Sequence, residues 1–521
     1  MTAALDRLLA IGEDEPGVAA AAIVGGRVVW MRCAGLADTA HRVPIRPTTR
    51  FHLVSCSKPF TAATALAAVA AGKLALDDDI RRHLPEMTPP DHGRPVLVRH
   101  LLSMTSGLDD VLEIARLGGV WHPSPSRPAD LLALALRRSR TSAPPGGRFM
   151  YCNGNFVLLD EILRRIDGRS ADAARRQAVY GPLGLGGATD RPHDGLILPD
   201  LAVPHVDAEG GWQRPTDIVG ICGDRVVASL EDMVGWIMSL REGRIGDLAT
   251  TAEMSRRSRL ADGRELHYGL GFFVRGWRGL RALGHFGTQP GYKAGFVLLP
   301  ERDVAVVMLA NREDVHPGRL VPQMLATLLP DTAEGRVDAG AVPTGEFADP
   351  ETGEWARLTA GEDGATVELL GFSARLVPDG DGWRDDGGLG ALMPVRVSRA
   401  PGGGVDVDIG GAAARLAPVP DAAGISSADD CAGSYDGIGM PTRHVIRRGP
   451  AGLEIAYGPA GDSARVFPMR PIGRDLFLVE PTAPGIAHRH VFRFHRDARG
   501  TVCRAAVTME RLKGVPLERC G

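Results

Sequence analysis

The sequence has neither an excess of charge of one sign nor a long apolar run. Its 60 basic and 63 acidic residues give a formal net charge of −3 at pH 7, so its charge does not favour nucleic acid or an anionic membrane as a partner. No stretch is long and apolar enough to span a bilayer. We therefore expect a soluble protein that binds neither nucleic acid nor membrane.

Cysteine is scarce, and the N-terminus lacks the pattern of an export signal. The seven cysteines are odd in number and lack the spacing of metal ligands, which fits a reducing compartment better than a disulfide framework. The opening "MTAALDRLLAIGEDEPG" lacks the basic start and apolar core of a secretory signal. We therefore expect a cytoplasmic protein.

The first three fifths of the chain have the pattern of a mixed α+β domain. Two strands over 17–35 meet at Gly25 and Gly26, which is a hairpin signal. Helices are predicted over 156–168 and 229–240, and strands are predicted in "GFFVRGW", "GYKAGFVLLP" and "DVAVVMLAN". Because the chain has 521 residues, two to four domains are expected. We place the first domain over 1–332.

Past Pro330 the pattern changes to short β-like runs separated by Gly, Pro and Asp, which is typical of small antiparallel barrels or sandwiches. The motifs "GEFADP" at 345 and "GSYDGI" at 433 each precede strand-like segments. Two copies of one β unit would explain this similarity, and chance in a Gly- and Ala-rich background is the alternative. We predict two small β-barrel domains, over 333–424 and 425–521.

A helix predicted from Ser55 opens with "SCSK" and continues as an Ala-rich run. Serine is a preferred N-cap, but a lysine in the first helical turn lies at the positive end of the helix dipole. Residues three apart share a helix face, so Ser55 and Lys58 are neighbours. A lysine with its charged form disfavoured can accept a proton from a hydroxyl. By itself the tetrad fits equally a capping serine beside a solvated lysine.

Two later stretches place polar side chains where a cleft is expected. Tyr151 and Asn153 follow a Gly-Gly turn and precede a helix, and His285 and Gly287 lie at the edge of a predicted strand. Taken singly, each of these stretches also fits capping, packing or surface residues. Together with the "SCSK" tetrad, and in this order along the chain, the two stretches form a specific pattern.

With "SCSK", "YCN" and "HFG" in this order, the sequence resembles the penicillin-recognising serine hydrolases, the class C β-lactamase-like group with S-x-x-K, Y-x-N and K/H-x-G motifs. The resemblance covers about residues 10 to 320. It implies an α+β β-lactamase-like catalytic domain in front of the two barrels. It also implies that the catalytic residues are Ser55, Lys58, Tyr151 and His285.

The resemblance implies a role for each of these residues. Ser55 would attack a carbonyl to give an acyl-enzyme, and Lys58 and Tyr151 would share the proton transfers. The backbone N–H groups of Ser55 and Thr288 would bind the oxyanion. No metal or organic cofactor is needed. The residues implied in substrate binding are Asn153, Gly287 and Thr288, with His285 helping to orient the substrate.

The third motif has His285 where class C β-lactamases carry lysine, which weakens a β-lactamase interpretation. Together with "MYCNGNF" and the paired C-terminal β units, it resembles the bacterial D-aminopeptidases of this family. This implies hydrolysis of N-terminal D-residues from short peptides, amides and esters, inhibition by β-lactams and a homodimer. An esterase or D,D-peptidase is the alternative, and a non-catalytic relative that binds peptide or drug is a third.

A free α-ammonium in a pocket needs a carboxylate, and the three motifs supply none. In the D-aminopeptidases a loop of the last β domain brings an acid to the cleft. The counterpart here is "VEPTAPGIAHRH" over 479–490, in which Glu480 is the only carboxylate. We predict that Glu480 is the partner of the substrate ammonium. The alternative is that Glu480 is a solvated charge at the end of a strand.

Two other patterns are assigned no chemistry. The stretch "GPLGLGG" lacks the strand-to-helix spacing of a phosphate loop and is interpreted as a turn. His488, His490 and His495 nearly alternate along a predicted strand without an acid or Cys at ligand spacing. We interpret them as exposed strand residues and predict no zinc site.

Overall fold

The computed structural model describes the chain except for residues 90–91, 119–127, 138–139, 194, 216–224, 244–247, 333–340, 362–363, 386–392, 421–428, 438–442, 458–464, 482–487 and 521. The described residues form one α+β domain followed by two closed β-barrels. Among them, no helix has the length and hydropathy needed to cross a membrane.

Among the described residues, the α+β domain has thirteen strands and eleven α-helices. Its strands are β1 (Val18–Val24), β2 (Arg27–Ala34), β3 (Leu36–Asp38), β4 (Val43–Pro44), β5 (Arg50–His52), β6 (Thr189–Asp190), β7 (Val206–Ala208), β8 (Gly211–Gln213), β9 (Val226–Ser229), β10 (Phe273–Trp277), β11 (Leu280–Gln289), β12 (Tyr292–Leu299) and β13 (Val304–Ala310). Its helices are α1 (Thr2–Leu8), α2 (Lys58–Ala70), α3 (Val98–Leu102), α4 (Val111–Leu117), α5 (Pro128–Leu136), α6 (Asn153–Asp167), α7 (Ala171–Arg175), α8 (Gly181–Leu183), α9 (Leu230–Glu242), α10 (Leu248–Ser255) and α11 (Pro317–Leu328).

A six-stranded antiparallel sheet in the order β10-β11-β12-β13-β1-β2 forms the centre of this domain. Its central strands β12 and β13 are buried along their whole length, as strands covered on both faces are. Gly25 and Gly26 form the predicted β1–β2 turn, and both have positive φ (58° and 71°), as a two-residue hairpin turn of this type requires.

The predicted helices over 156–168 and 229–240 correspond to α6 and α9. Helix α9 begins with a capping box, because Ser229 Oγ accepts from the N–H of Asp232 and the Asp232 carboxylate accepts from the N–H of Ser229. The predicted start of a helix at Ser55 is wrong. Residues Val54–Ser57 form a 3₁₀ turn, and the α-helix begins at Lys58.

The two C-terminal β units are closed eight-stranded antiparallel barrels, which confirms the predicted architecture. The "GEFADP" and "GSYDGI" motifs begin the first strand of each barrel. The domain boundaries stay predictions, because 333–340 and 421–428 lie outside the described residues. The first barrel consists of β14 (Gly345–Ala348), β15 (Trp355–Gly361), β16 (Gly364–Leu369), β17 (Ser373–Asp379), β18 (Gly382–Asp385), β19 (Val395–Arg399), β20 (Val405–Ile409) and β21 (Ala412–Pro418). The second consists of β22 (Gly433–Gly437), β23 (Arg443–Gly449), β24 (Gly452–Tyr457), β25 (Arg465–Gly473), β26 (Leu476–Val479), β27 (His490–Arg496), β28 (Val502–Met509) and β29 (Leu512–Cys520).

The interpretation of the three C-terminal histidines as exposed is wrong for His490. Its ring is fully buried inside the second barrel, where Nδ1 is 2.9 Å from the Tyr457 hydroxyl. His495 is only partly buried, and His488 packs against the α+β domain. Alternation along a strand cannot distinguish the inside of a small barrel from its outside.

Candidate active site

Ser55 stands on a strained turn that is held against strand β11. The preceding residue, Val54, has φ of +50°, which is unfavourable for a β-branched side chain. The N–H of Val54 donates to Nδ1 of the buried His52 over 3.1 Å. Burial, together with the charges of nearby arginines, lowers the pKa of His52 to about 3, so the ring is neutral and can accept this bond.

Gly287 allows β11 to approach the Ser55 turn. A Cβ at this position would stand 2.4 Å from the Leu53 carbonyl oxygen and 2.9 Å from the Ser55 nitrogen, closer than any side chain tolerates. The glycine of the third motif therefore brings the Ser55 backbone beside the 287–288 segment. Thr288 follows as an exposed residue of the same strand, and the oxyanion-binding role of its N–H stays a prediction.

Lys58 is fully buried and hydrogen-bonded to two of the predicted site residues. Its Nζ is 3.0 Å from Ser55 Oγ and 3.1 Å from Asn153 Oδ1. It also lies 5.0 Å from the centre of the Tyr151 ring and 5.6 Å from that of Phe156. The first two motifs thus meet at one amine, which can exchange a proton with the Ser55 hydroxyl.

Asp110 fixes the orientation of Asn153 and was not predicted from the sequence. It is the N-cap of α4, where Oδ1 accepts from the N–H groups of Leu112 and Glu113. Because Asp110 Oδ2 accepts from Asn153 Nδ2, the amide oxygen of Asn153 must face Lys58. The Asp-x-x-Glu pattern at 110–113 could have predicted the helix start. It carries no signal for the contact with Asn153.

His285 is buried in β11 and is neutral. Burial and the nearby Lys58 charge lower the pKa of His285 to about 3. Its Nδ1 is 2.7 Å from the Phe286 carbonyl oxygen, which can only accept, so Nδ1 carries the proton. Nε2 is 3.3 Å from the Tyr268 hydroxyl and accepts from it. The ring centroid lies 6.2 Å from that of Tyr151, so the third motif meets the other two without adding a positive charge.

The cavity beside Tyr151 is lined by all three domains. Residues of the α+β domain, the first barrel and the second barrel face one space of about 190 Å³. A substrate that reaches Tyr151 through it must therefore contact the barrels as well. The lining residues are Arg148, Phe149, Met150, Tyr151, Gly371, Phe372, Met393, Ile409, Ala412, Glu510, Arg511 and Lys513.

The second barrel reaches this cavity through the tip of the β28–β29 hairpin. Met509 pairs with Leu512, so Glu510 and Arg511 form a two-residue turn. The Arg511 guanidinium carbon is 4.9 Å from the centre of the Tyr151 ring. The sequence offered no signal for this contact, because it joins residues far apart in the chain. The sequence predicts that the segment 479–490 enters the cleft. This stays a prediction, because residues 482–487 lie outside the described residues.

Glu480 lies in an ion-pair cluster between the two barrels. Its carboxylate is 3.2 Å from nitrogens of Arg357, Arg470 and Arg489. Burial raises the pKa of Glu480, but the three arginines outweigh this and lower it overall. Glu480 faces a neighbouring cavity that shares Gly371 and Phe372 with the Tyr151 cavity. Its role as ammonium partner stays a prediction.

Glu113, His488 and Glu510 form the cluster in the described part of the chain that most resembles a metal site, with donor atoms within 4.8 Å of one another. His488 Nδ1 is 3.7 Å from Glu113 Oε1 and 3.8 Å from Glu510 Oε2. Three ligands around one zinc ion at about 2.1 Å would lie only about 3.4 Å apart, so the donors are too widely spaced. Burial and the nearby Glu510 raise the pKa of Glu113.

Known proteins similar to this chain include D-aminopeptidases and a D-amino acid amidase. A D-aminopeptidase of Cereibacter sphaeroides is 26% identical over 474 residues, which cover 89% of this chain and 88% of the relative. A D-aminopeptidase of Brucella anthropi is 28% identical over 340 residues, 65% of this chain and 64% of the relative. The crystal structure of a D-amino acid amidase from Ochrobactrum anthropi has the same fold, with a TM-score of 0.54 and 21% identity over 64% of this chain and 99% of that chain.

The sequence profile of the Beta-lactamase family matches residues 5–328. The match covers more than half of the chain and includes all three motifs. The hydrogen-bonded Ser55 and Lys58, with Tyr151 and His285 beside them, lie within it. The chain therefore belongs to the Beta-lactamase family, to which it adds two C-terminal barrels that line the same cavity.

Proposed function

We propose that this chain is a serine aminopeptidase that releases N-terminal D-residues from short peptides, amides and esters. The observation that carries the proposal is the Ser55–Lys58 hydrogen bond beside Tyr151, in a cavity that both barrels help to line. The similarity to the Cereibacter sphaeroides D-aminopeptidase supports it, because that similarity extends over 89% of the chain. The walled cavity favours short substrates.

In the proposed reaction, Ser55 Oγ attacks the carbonyl carbon of the D-residue while its proton passes to the Lys58–Tyr151 pair. The two basic groups are coupled, so the proton belongs to the pair. The same proton then passes to the leaving amine as the C–N bond breaks. Water hydrolyses the acyl-enzyme by the reverse sequence. The N–H groups of Ser55 and Thr288 would stabilise the oxyanion, at about 3 to 4 kcal/mol for each donor.

The substrate ammonium needs an acid, and we propose Glu480 or Glu510 for this role. Glu480 is the ammonium partner predicted from the sequence, but three arginines already balance its charge. Glu510 lines the Tyr151 cavity itself, and its closest described cationic neighbour, Arg511 Nε, is 3.5 Å from its carboxylate. The two candidates can be separated by mutation.

Cytoplasmic location and a homodimer are further parts of the proposal. The six described cysteines are all free thiols, which supports a reducing compartment. The dimer rests on the resemblance to D-aminopeptidases. Cell fractionation tests the location, and light scattering on the purified protein tests the assembly. Export to the periplasm or a stable monomer at working concentration would contradict the respective part.

Hydrolysis of D-alanine p-nitroanilide beside its L form, a simple p-nitrophenyl ester and nitrocefin tests the function. We expect turnover of the D-anilide, little of the L-anilide, and slow acylation by the β-lactam. An esterase would cleave the ester without a preference for a D-amine. A non-catalytic relative would bind the D-amide without releasing product.

A further inference from the structure

Two cations lie against the ring of Tyr151, and one of them comes from the last barrel. Lys58 Nζ is 5.0 Å and Arg511 Cζ is 4.9 Å from the ring centroid. Lys58 belongs to the three motifs that characterise the catalytic domain. Arg511 belongs to the tip of the β28–β29 hairpin.

The backbone of the hairpin tip is fastened to the catalytic domain on both sides of Arg511. The N–H of Arg511 donates to Glu113 Oε2 over 2.8 Å, and the N–H of Asp110 donates to the Arg511 carbonyl over 3.4 Å. Two residues further on, the N–H of Lys513 donates to Ser142 Oγ over 2.9 Å. These bonds hold the guanidinium in place without using any of its own N–H groups.

The Arg511 guanidinium keeps hydrogen-bonding capacity that it can use towards the cavity. Its Nε is buried and has no hydrogen-bond partner among the described residues, and its closest carboxylate oxygen, Glu510 Oε2, is 3.5 Å away. Asp110, Glu113 and Arg116 also lie near the tip. Arg116 and Lys513 also lie beside Glu113, so the charge of the acids near the tip does not fall on Arg511 alone.

The third motif does not supply a positive charge beside Tyr151. The class C β-lactamases that this sequence resembles have a lysine where His285 stands. His285 is neutral, its Nδ1–H faces the Phe286 carbonyl and its Nε2 accepts from Tyr268. Lys58 and Arg511 are two described cations that do face the Tyr151 ring.

We propose that Arg511 is a positioning residue that stabilises the ionised form of Tyr151 and so replaces the positive charge that the third motif lacks. The proposal rests on the proposed function only in that Tyr151 takes part in proton transfer. The phenolate takes the Ser55 proton while the bond from Oγ to the carbonyl carbon forms. It returns this proton to the leaving group. A cation about 5 Å away favours this state in a partly buried site.

The experiment compares Arg511→Met and Arg511→Lys with the unchanged protein over pH 5 to 10. Two substrates are used: D-alanine p-nitroanilide, and p-nitrophenyl acetate, which has neither amine nor carboxylate. We expect Arg511→Met to lower kcat/KM at pH 7 by about 10- to 100-fold on both substrates. The acidic limb of the pH–rate profile of Arg511→Met should move up by about 1 to 2 pH units, so that activity recovers at alkaline pH. Arg511→Lys should restore most of the activity and the original limb.

Arg504→Met is the matched control, because Arg504 is an exposed residue of β28 in the same barrel. It should change neither rate nor pH profile. Methylguanidinium added to Arg511→Ala should restore part of the lost rate. A loss that is equal at every pH would show a purely structural role and overturn the proposal, as would a loss confined to the anilide, which would show substrate binding. If the ester follows the expected pattern but the D-anilide is not cleaved, the proposed function fails and this inference stands.

Discussion

Asp110 Oδ2 accepts hydrogen bonds from both the backbone N–H and the Nδ2 group of Asn153, at 2.6 and 3.2 Å. The same carboxylate caps α4 through its other oxygen. In Asp110→Asn the cap can persist, because asparagine is an equally good N-cap. The new amide has only one oxygen, so while it caps α4 its NH₂ group faces the two Asn153 donors, and Asn153 Oδ1 loses its fixed direction towards Lys58. We expect kcat/KM to fall by about 10- to 100-fold with a change of about 1 kcal/mol or less in unfolding free energy.

Steady-state kinetics and urea unfolding measure the two effects of Asp110→Asn. Asp79→Asn is the control, because Asp79 is the N-cap of a 3₁₀ turn and has no described contact with the site. A fall in stability that accounts for the whole loss of activity would contradict a positioning role.

Ser55 and Ser57 are neighbours with different expected roles. Ser55→Ala removes the proposed nucleophile and should abolish turnover while the fold persists, since the residue is half-buried and small. Ser57 Oγ accepts instead from the N–H of Val226 over 3.1 Å. Ser57→Ala should therefore cost about 1 to 3 kcal/mol of unfolding free energy and keep most of the turnover. More than a few per cent of residual activity in Ser55→Ala would refute the mechanism.

Gly287→Ala should separate the Ser55 turn from β11. Its Cβ would meet backbone atoms of Leu53 and Ser55 at 2.4 and 2.9 Å, and backbone cannot move aside as a flexible side chain can. We expect a loss of at least about 100-fold in kcat/KM and about 1 to 3 kcal/mol in unfolding free energy. Gly276→Ala, on the adjacent strand β10, is the control because nothing lies within 4 Å of its Cβ. Equal kinetics for the two variants would contradict the close approach.

Glu480→Gln and Glu510→Gln distinguish the two candidates for the ammonium partner. The substitution that removes the ammonium partner should raise KM for D-alanine amides by about 10- to 100-fold, as loss of a charge-assisted contact of about 1.5 to 3 kcal/mol would. It should leave a neutral ester nearly unaffected. If Glu480 acts only between the barrels, its variant should lower stability and leave KM unchanged. Two variants without any effect on KM would assign the amine to another acid.

Buried neutral histidines should make the fold sensitive to mild acid. Burial lowers the pKa of these side chains to about 3 or 4, whereas the same groups titrate near 6.5 in the unfolded chain. The unfolded state therefore binds more protons below pH 6.5, and stability is lost as the pH falls from there towards 4. The residues concerned are His52, His100, His267, His285, His444 and His490.

Unfolding free energies at pH 7, 6 and 5 measure this loss. His444 is buried with both ring nitrogens lacking hydrogen-bond partners among the described residues, so His444→Phe should keep the packing and remove one titrating group. The slope between pH 6 and 5 should then fall by about 1 kcal/mol per pH unit. His41→Gln, at an exposed position, should leave the slope unchanged. An identical slope in His444→Phe would show that His444 takes up no proton on unfolding and would contradict its part in the acid sensitivity.

Local patterns predicted the reactive pair and the barrels better than they predicted the walls of the site. Ser55 and Lys58 are three apart on one turn, so their contact follows from helical geometry. The stretch through His285 was expected to be a strand edge. It lies within the ten-residue strand β11, because pairing with β12 outweighs the turn preference of its glycines. The contact of Arg511 with Tyr151 depends on how whole domains dock, for which a single sequence contains no local signal.

The hairpin tip also ties the active site to the order in which the chain is synthesised. Arg511 donates its N–H to Glu113, 398 positions earlier, and it is placed by strand β29, which ends at Cys520 and closes the barrel against β22. A nascent chain emerging from the ribosome carries Ser55 and Lys58 long before this wall exists. This side of the cavity can therefore form only after β29 has paired with β22 and the second barrel has closed.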